Sequence, residues 1–210
     1  MPVLPLEFYN RDTTKVAREL LGKTLVHQLK NGTRISGRIV ETEAYLGVID
    51  LAAHTYGGRR TQRTQTMFMK AGHAYVYQIY GLHFCLNVVT RKQGTPEAVL
   101  IRAIEPLEGL SYMKKRRPAA KRDFDLTNGP GKVCAALGID KSFDASLLDE
   151  APLYIEEPAA DALRNKRLQI IASPRIGVDY AKHAALWPLR FSISENSYVS
   201  KPQPWTKKRR

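Results

Sequence analysis

A chain of 210 residues, 43% of them hydrophobic, is long enough to bury one substantial core and would be stretched over two. Its 33 basic and 20 acidic residues leave a formal charge of +13, which points to a polyanionic partner, because each Lys or Arg set on a phosphate releases condensed counterions. No apolar run approaches the roughly 18 residues of a membrane span, residues 1–9 lack the pattern of a secretory signal, and the isolated Cys85 and Cys134 argue against a disulfide framework or a zinc site, so a soluble cytoplasmic protein is expected.

Asp12 can cap a short helix in which Val16, Ala17, Leu20 and Leu21 form one apolar stripe, and Gly22 can end it. Residues 24–29 and 35–46 read as strands around Lys30-Asn31-Gly32-Thr33, where Asn-Gly is a strong hairpin signal. Residues 46–70 are polar, carry a Gly57-Gly58 pair and are expected as a long loop over the sheet, the kind of segment that tends to carry function. Within it, Arg59-Arg60-Thr61-Gln62-Arg63 lies beside glycines that let the backbone come close to phosphate.

Residues 73–80, 85–90 and 98–106 return to strand composition, rich in Val, Ile and Tyr. A helix is expected over 107–117, stopped by Pro118, and a second from Pro130, a favoured first helical position, to Gly138. Further strands are expected at 153–156, 168–171 and 189–194. Basic residues cluster at Lys114-Lys115-Arg116-Arg117, at Lys121-Arg122 and in a tail, Lys207-Lys208-Arg209-Arg210. No repeat or composition shift divides the chain. The expected fold is a single mixed α/β (α+β) domain with a largely antiparallel, curved sheet flanked by helices, the basic tail occupying about 201–210.

Period-two geometry puts Glu41, Glu43 and Tyr45 on one strand face. A lone strand carboxylate is more often a solvent-facing group or half of an ion pair. At the edge of a basic loop and next to an aromatic ring, it has the surroundings of a general base working beside a bound polyanion. Tyr75, Tyr77 and Ile79 share a face of the next strand, where aromatic residues are more often core. Tyr80 falls at that strand's end before Gly81, where a side chain can project as a wedge into a base stack. Tyr45, Tyr77 and His54 could sandwich an extruded base, at roughly 1–3 kcal/mol per stacked base. The histidines, His27, His54, His73, His83 and His183, are scattered and imply no metal, and no cofactor is expected.

An ordered set of short motifs carries a more specific signal. It comprises Val40-Glu41-Thr42-Glu43-Ala44-Tyr45, Ala52-Ala53-His54, Gly57-Gly58-Arg59, Met67-Phe68-Met69, Tyr75-Val76-Tyr77-Gln78-Ile79-Tyr80-Gly81, Cys85-Leu86-Asn87, Leu100-Ile101-Arg102-Ala103 and Asn128-Gly129-Pro130-Gly131-Lys132. In this order and spacing, across residues 6–194, the chain resembles the alkyladenine (3-methyladenine) DNA glycosylases, a monofunctional base excision repair family of mammals and many bacteria. It lacks the long N-terminal extension of the mammalian members and so looks like the compact bacterial form.

The resemblance implies an enzyme that flips alkylated or deaminated purines out of duplex DNA and hydrolyses the N-glycosidic bond. Its expected substrates are 3-methyladenine, 7-methylguanine, hypoxanthine and ethenoadenine. Glu43 would deprotonate the attacking water, which Arg102 and the backbone carbonyl of Val178 help to place. Tyr45, His54 and Tyr77 would line the base pocket, the His54 backbone N–H donating to the purine six-position, and Asn87 would clash with the exocyclic amine of normal guanine. Tyr80 would be the wedge, and Arg59, Thr61 and Arg63 would hold phosphates. Gln62 departs from the proline of many relatives, which puts the path of that loop in doubt. The expected partner is double-stranded DNA holding a damaged purine, met by a monomer away from any membrane. Two rivals are a lyase using the amine of Lys70 or Lys132, and a non-catalytic nucleic-acid-binding module.

Overall fold

A computed structural model describes residues 1–158 and 168–200. A single turn of helix, α1 (Leu6–Tyr9), precedes α2 (Thr13–Glu19), whose Asp12 cap accepts the Lys15 N–H at 3.0 Å and whose Val16 and Ala17 are fully buried. The first hairpin follows as β1 (Thr24–Gln28) and β2 (Arg34–Tyr45). Next come β3 (Ala74–Ile79), β4 (His83–Thr90) and β5 (Glu97–Glu108). The helices α3 (Leu110–Arg116) and α4 (Pro130–Leu137) lead to β6 (Asp149–Glu150), β7 (Leu153–Glu156), β8 (Ile170–Ser173) and β9 (Arg190–Ile193).

The nine strands among the described residues form one curled antiparallel sheet in a mixed α/β domain. The strands run β3-β4-β5-β2-β1-β7-β6, and β9 joins β2 with β8 beyond it. β2 therefore pairs with β5 along one edge, and its other edge changes partner from β1 at Arg34–Arg38 to β9 at Glu41–Glu43. Register shifts fall between Ile39 and Thr42, at that change of partner. A bulge of this kind bends a strand and re-aims its side chains. The sheet packs its apolar face on α2 and α4 through Leu25, Ile39, Leu86 and Ile101 against Val16, Leu20, Val133 and Leu137.

Three expectations need correction. The helix expected over 107–117 begins only at Leu110, because β5 continues to Glu108, paired opposite Ser36. Gly109 makes the break at a left-handed φ of 72°, where a Cβ would stand 3.0 Å from the Arg34 carbonyl oxygen. The strand expected at 168–171 lies at Ile170–Ser173, since its ladder is set by β9, with Ile170 opposite Ile193. The segment 46–70 is no open loop: it holds 3-10 turns at Gly47–Ile49, Tyr56–Gly58 and Gln65–Phe68, and Ala52, Ala53 and Met67 are buried. Helix α1, the short β6 and a kinked 3-10 stretch at Asp179–Leu186 went unforeseen. The tail at 201–210 lies outside the described residues. Among the described residues, no helix is long and apolar enough to cross a membrane.

Candidate functional site

The branch in β2 builds the floor of the site. Glu41 and Glu43 are both fully buried and both reach Arg102 of β5, with Glu41 Oε1 at 3.2 Å from Nε and Glu43 Oε1 at 3.3 Å from Nη1. β9 adds Arg190, whose Nε donates to Glu41 Oε1 at 2.6 Å. Each carboxylate is thus half of a buried ion pair, and burying such charges is tolerable only because their hydrogen bonds are met. Burial by itself would lower the pKa of the Arg102 guanidinium, but Glu43 and Glu41 outweigh it and hold the group above its ordinary value.

Glu43 is held from two further sides. Its Oε2 accepts the Tyr45 hydroxyl at 2.8 Å, and its Oε1 accepts the Ile176 N–H at 2.8 Å. The strap that brings Ile176 there is anchored by Arg175, whose side chain has no exposure and pairs with both oxygens of Asp50. Arg175 also donates to the Ala44 carbonyl at 2.9 Å and the Ala184 carbonyl at 3.2 Å, and its guanidinium lies 4.7 Å from the centre of the Tyr45 ring. Two residues further on, Val178 is buried, and its carbonyl accepts the Ala181 N–H at 2.9 Å.

Above this floor opens a cavity of about 270 Å³, near the lower limit of roughly 300–1,000 Å³ for small-molecule pockets. Its wall includes Tyr45, His54, Tyr77, Asn87, Arg102 and Val178. The β3 alternation holds, because Tyr75, Tyr77 and Ile79 all line it. The His54 ring meets Tyr77 edge-on at 4.7 Å, and its Nδ1 is 3.0 Å from the Tyr75 hydroxyl. Burial, reinforced by Arg63 and Arg59, pushes the His54 imidazole down to about 4, so the ring is neutral at pH 7. Burial also raises Tyr45 and Tyr77 well above the usual phenol range, Tyr75 to about 12 and the Cys85 thiol to about 11. The cavity is therefore lined by uncharged aromatic groups, with one cation, Arg102, neutralised from behind. Asn87, on β4 opposite Tyr75, donates through Nδ2 to the Tyr75 carbonyl at 3.1 Å.

Tyr80 stands at the rim. It is 90% exposed in the β3–β4 turn with φ at 49°, beside Gly81, and the Gln78 side chain pins the turn by donating to the Gly81 carbonyl at 2.7 Å. Arg59, Thr61 and Arg63 are exposed along an adjoining groove of about 360 Å³. The Thr61 N–H donates to the Thr64 hydroxyl at 2.8 Å, which fixes the turn. Arg63 stands apart from the other two, since its guanidinium lies 5.0 Å from the centre of the Tyr77 ring, over the cavity wall.

The structure therefore brings Tyr45, His54, Tyr77, Tyr80, Asn87, Arg102 and Val178 to one cavity, with Glu43 fully buried behind Tyr45 and Arg102 and not itself lining it, while Arg59, Thr61 and Arg63 line the adjoining groove. The sequence reading did not single out Asp50, Arg175, Ile176, Arg190, Ser200 or Tyr180, which is 68% exposed and lines both cavity and groove. Only Tyr180 carried a local signal, as an aromatic residue beside Val178. The others work through partners far along the chain. Among the described residues, no group of three or more His, Cys, Asp or Glu side chains is placed to hold a metal ion.

A family model described as methylpurine-DNA glycosylase matches residues 7–197. Several relatives carry the provisional name 3-methyladenine DNA glycosylase. The protein of Desulfitobacterium hafniense is 48% identical over 209 residues, covering 95% of this chain and 99% of its own. That of Clostridium acetobutylicum is 50% identical over 203 residues, with 92% and 95% covered. That of Methanocella arvoryzae is 50% identical over 205 residues, with 97% and 98% covered.

Proposed function

Because the chain belongs to the methylpurine-DNA glycosylase family, we propose that it removes alkylated and deaminated purines from duplex DNA by a water that Glu43 activates. The observation that carries this reading is the aromatic cavity whose lining residues Tyr45, Arg102 and Ile176 hold the buried Glu43 carboxylate directly behind them, with an exposed Tyr80 at its rim. A base inside a duplex leaves no path for water to its sugar carbon, so the nucleotide must turn out, at a cost of a few kcal/mol that is lower for a poorly paired lesion. Tyr80 fills the vacated stack. Tyr45, Tyr77 and His54 receive the base, and a purine alkylated on a ring nitrogen is cationic, which adds about 0.5–2 kcal/mol of cation–π attraction.

The water sits between Glu43 and the Val178 carbonyl, with Arg102 beside it. Its oxygen bonds to the sugar C1′, its proton passes to Glu43, and the C1′–N9 pair leaves with the purine. A cationic purine departs as a neutral base, so for alkylated lesions positioning and one general base supply most of the rate, typically ~10²–10⁴-fold from the base alone, whereas a neutral purine such as hypoxanthine departs as an anion and takes up a proton from solvent. The His54 N–H donates to the purine six-position and Asn87 excludes the guanine amine. Arg59, Thr61 and Arg63 hold the strand, and the enzyme works as a monomer in the cytoplasm without a cofactor. No lysine lines the cavity among the described residues, and Lys132 Nζ already donates to Asn128 Oδ1 at 2.6 Å, which disfavours a Schiff-base lyase.

Duplex oligonucleotides carrying one 7-methylguanine or one hypoxanthine test this directly. Free base with an intact abasic strand is expected. Strand cleavage coupled to base release would instead mean a lyase, and binding without release a non-catalytic module.

A further inference from the structure

Neither Glu41 nor Glu43 lines the cavity directly, and of the two buried carboxylates Glu41 is the more densely bonded. Beyond Arg102 and Arg190, both of its oxygens are met by one residue. Ser200 donates its N–H to Oε2 at 2.8 Å and its hydroxyl to Oε1 at 2.9 Å. The same hydroxyl oxygen accepts Arg102 Nη2 at 3.2 Å. Ser200 is 159 positions from Glu41 and lies beyond the residues 7–197 that match the family model.

A guanidinium is a rigid plane, so fixing two of its nitrogens fixes the third. Glu41 holds Arg102 Nε and Ser200 holds Nη2, which leaves Nη1 pointed at Glu43 at 3.3 Å. Without the Ser200 oxygen, the plane is held at the Nε edge and by Glu43 itself and can swing about that edge. The half-buried Ser200 also supplies two of the contacts that keep Glu41 in place. We infer that Ser200 is a positioning residue for hydrolysis, one that locks the plane of Arg102 and so its place beside Glu43 and the water. This rests on the reading of Glu43 as the general base.

Ser200→Ala in the full chain tests it. Single-turnover excision of 7-methylguanine at saturating enzyme is expected to slow by about tenfold, since a misplacement of about 1 Å in a reacting site can cost about 10²-fold. The Kd for a duplex with an abasic-site analogue and the thermal midpoint should stay close to wild type. Ser200→Thr, which keeps both donors, should restore most of the rate. A wild-type rate in Ser200→Ala overturns the inference, as does a slow rate accompanied by equal loss of binding or thermal stability, or one that Thr does not restore. Glu43→Gln measured alongside keeps the two readings apart. Its retention of excision removes Glu43 as base, whereas its inactivity beside an unaffected Ser200→Ala removes only the role of Ser200.

Discussion

Glu41, Glu43, Arg102, Arg175 and Arg190 on the floor of the cavity are buried and hydrogen-bonded from within the protein, whereas Tyr80, Arg59 and Thr61 at the rim face solvent. The floor is assembled from β2, β5, β9 and the strap at 175–178, while the rim comes from two local stretches, the basic loop and the β3–β4 turn. Charges held dry and pre-aligned act strongly on a developing transition state and need no rearrangement when it forms. Exposed charges contribute little to stability and remain available to phosphate. Arg63 lies between the two classes, because it is exposed along the groove yet its guanidinium already covers the Tyr77 ring. Changes to the floor should therefore cost chemistry or folding, and changes to the rim should cost binding and flipping.

The largest expected effect tests the floor. Glu43→Gln should lower single-turnover excision by ~10²–10⁴-fold, with binding to an abasic-site analogue nearly intact. If a tenth of the wild-type rate survived, Glu43 would be a structural ion-pair partner, and floor and rim would no longer divide by function. Asp50→Ala comes next. It strands the buried Arg175 charge, which typically costs about 3–5 kcal/mol, so chemical denaturation should show a large loss of stability, and the strap carrying Ile176 should loosen. A stability within about 0.5 kcal/mol of wild type, the usual range for surface changes, would mean that Asp50 does not hold the strap.

Rim variants should leave stability alone. If Tyr80 fills the vacated stack as proposed, Tyr80→Ala should lower excision most for well-paired lesions and least for a lesion in a mismatch or bulge. An equal loss of affinity for damaged and undamaged duplex, blind to pairing, would make Tyr80 a backbone contact. Smallest of all, Arg59→Ala should weaken binding to lesion and undamaged DNA alike and reduce the salt slope by about 0.9, the contribution of one neutralised phosphate. An unchanged slope would take Arg59 off the DNA path.

Local rules carried much of the architecture. The Asp12 cap, the Asn31-Gly32 turn between β1 and β2, and the Pro130 start and Gly138 stop of α4 were all legible, because capping and turn chemistry act over a few residues. Period-two alternation likewise placed Glu43 with Tyr45, and Tyr75 with Tyr77, on shared faces that turn out to meet at the cavity. Where β5 ends was not legible, since its pairing with β2 overrides the helical composition after Leu107.

The distant partners of the buried carboxylates were decided by tertiary structure, beside local ones such as the Tyr45 hydroxyl on Glu43. Arg175 meets Asp50 across 125 positions, Arg190 meets Glu41 across 149, and Ser200 meets Glu41 across 159. No capping rule or periodicity reaches that far, because such contacts depend on which strand joins β2 at its bulge. The residues from 34 to 45 determined that two carboxylates would share a strand face. The arrival of β9 and the strap at 175–178 determined that both would be buried, ion-paired and aimed, since only neighbours packed over them exclude the water that would otherwise solvate them.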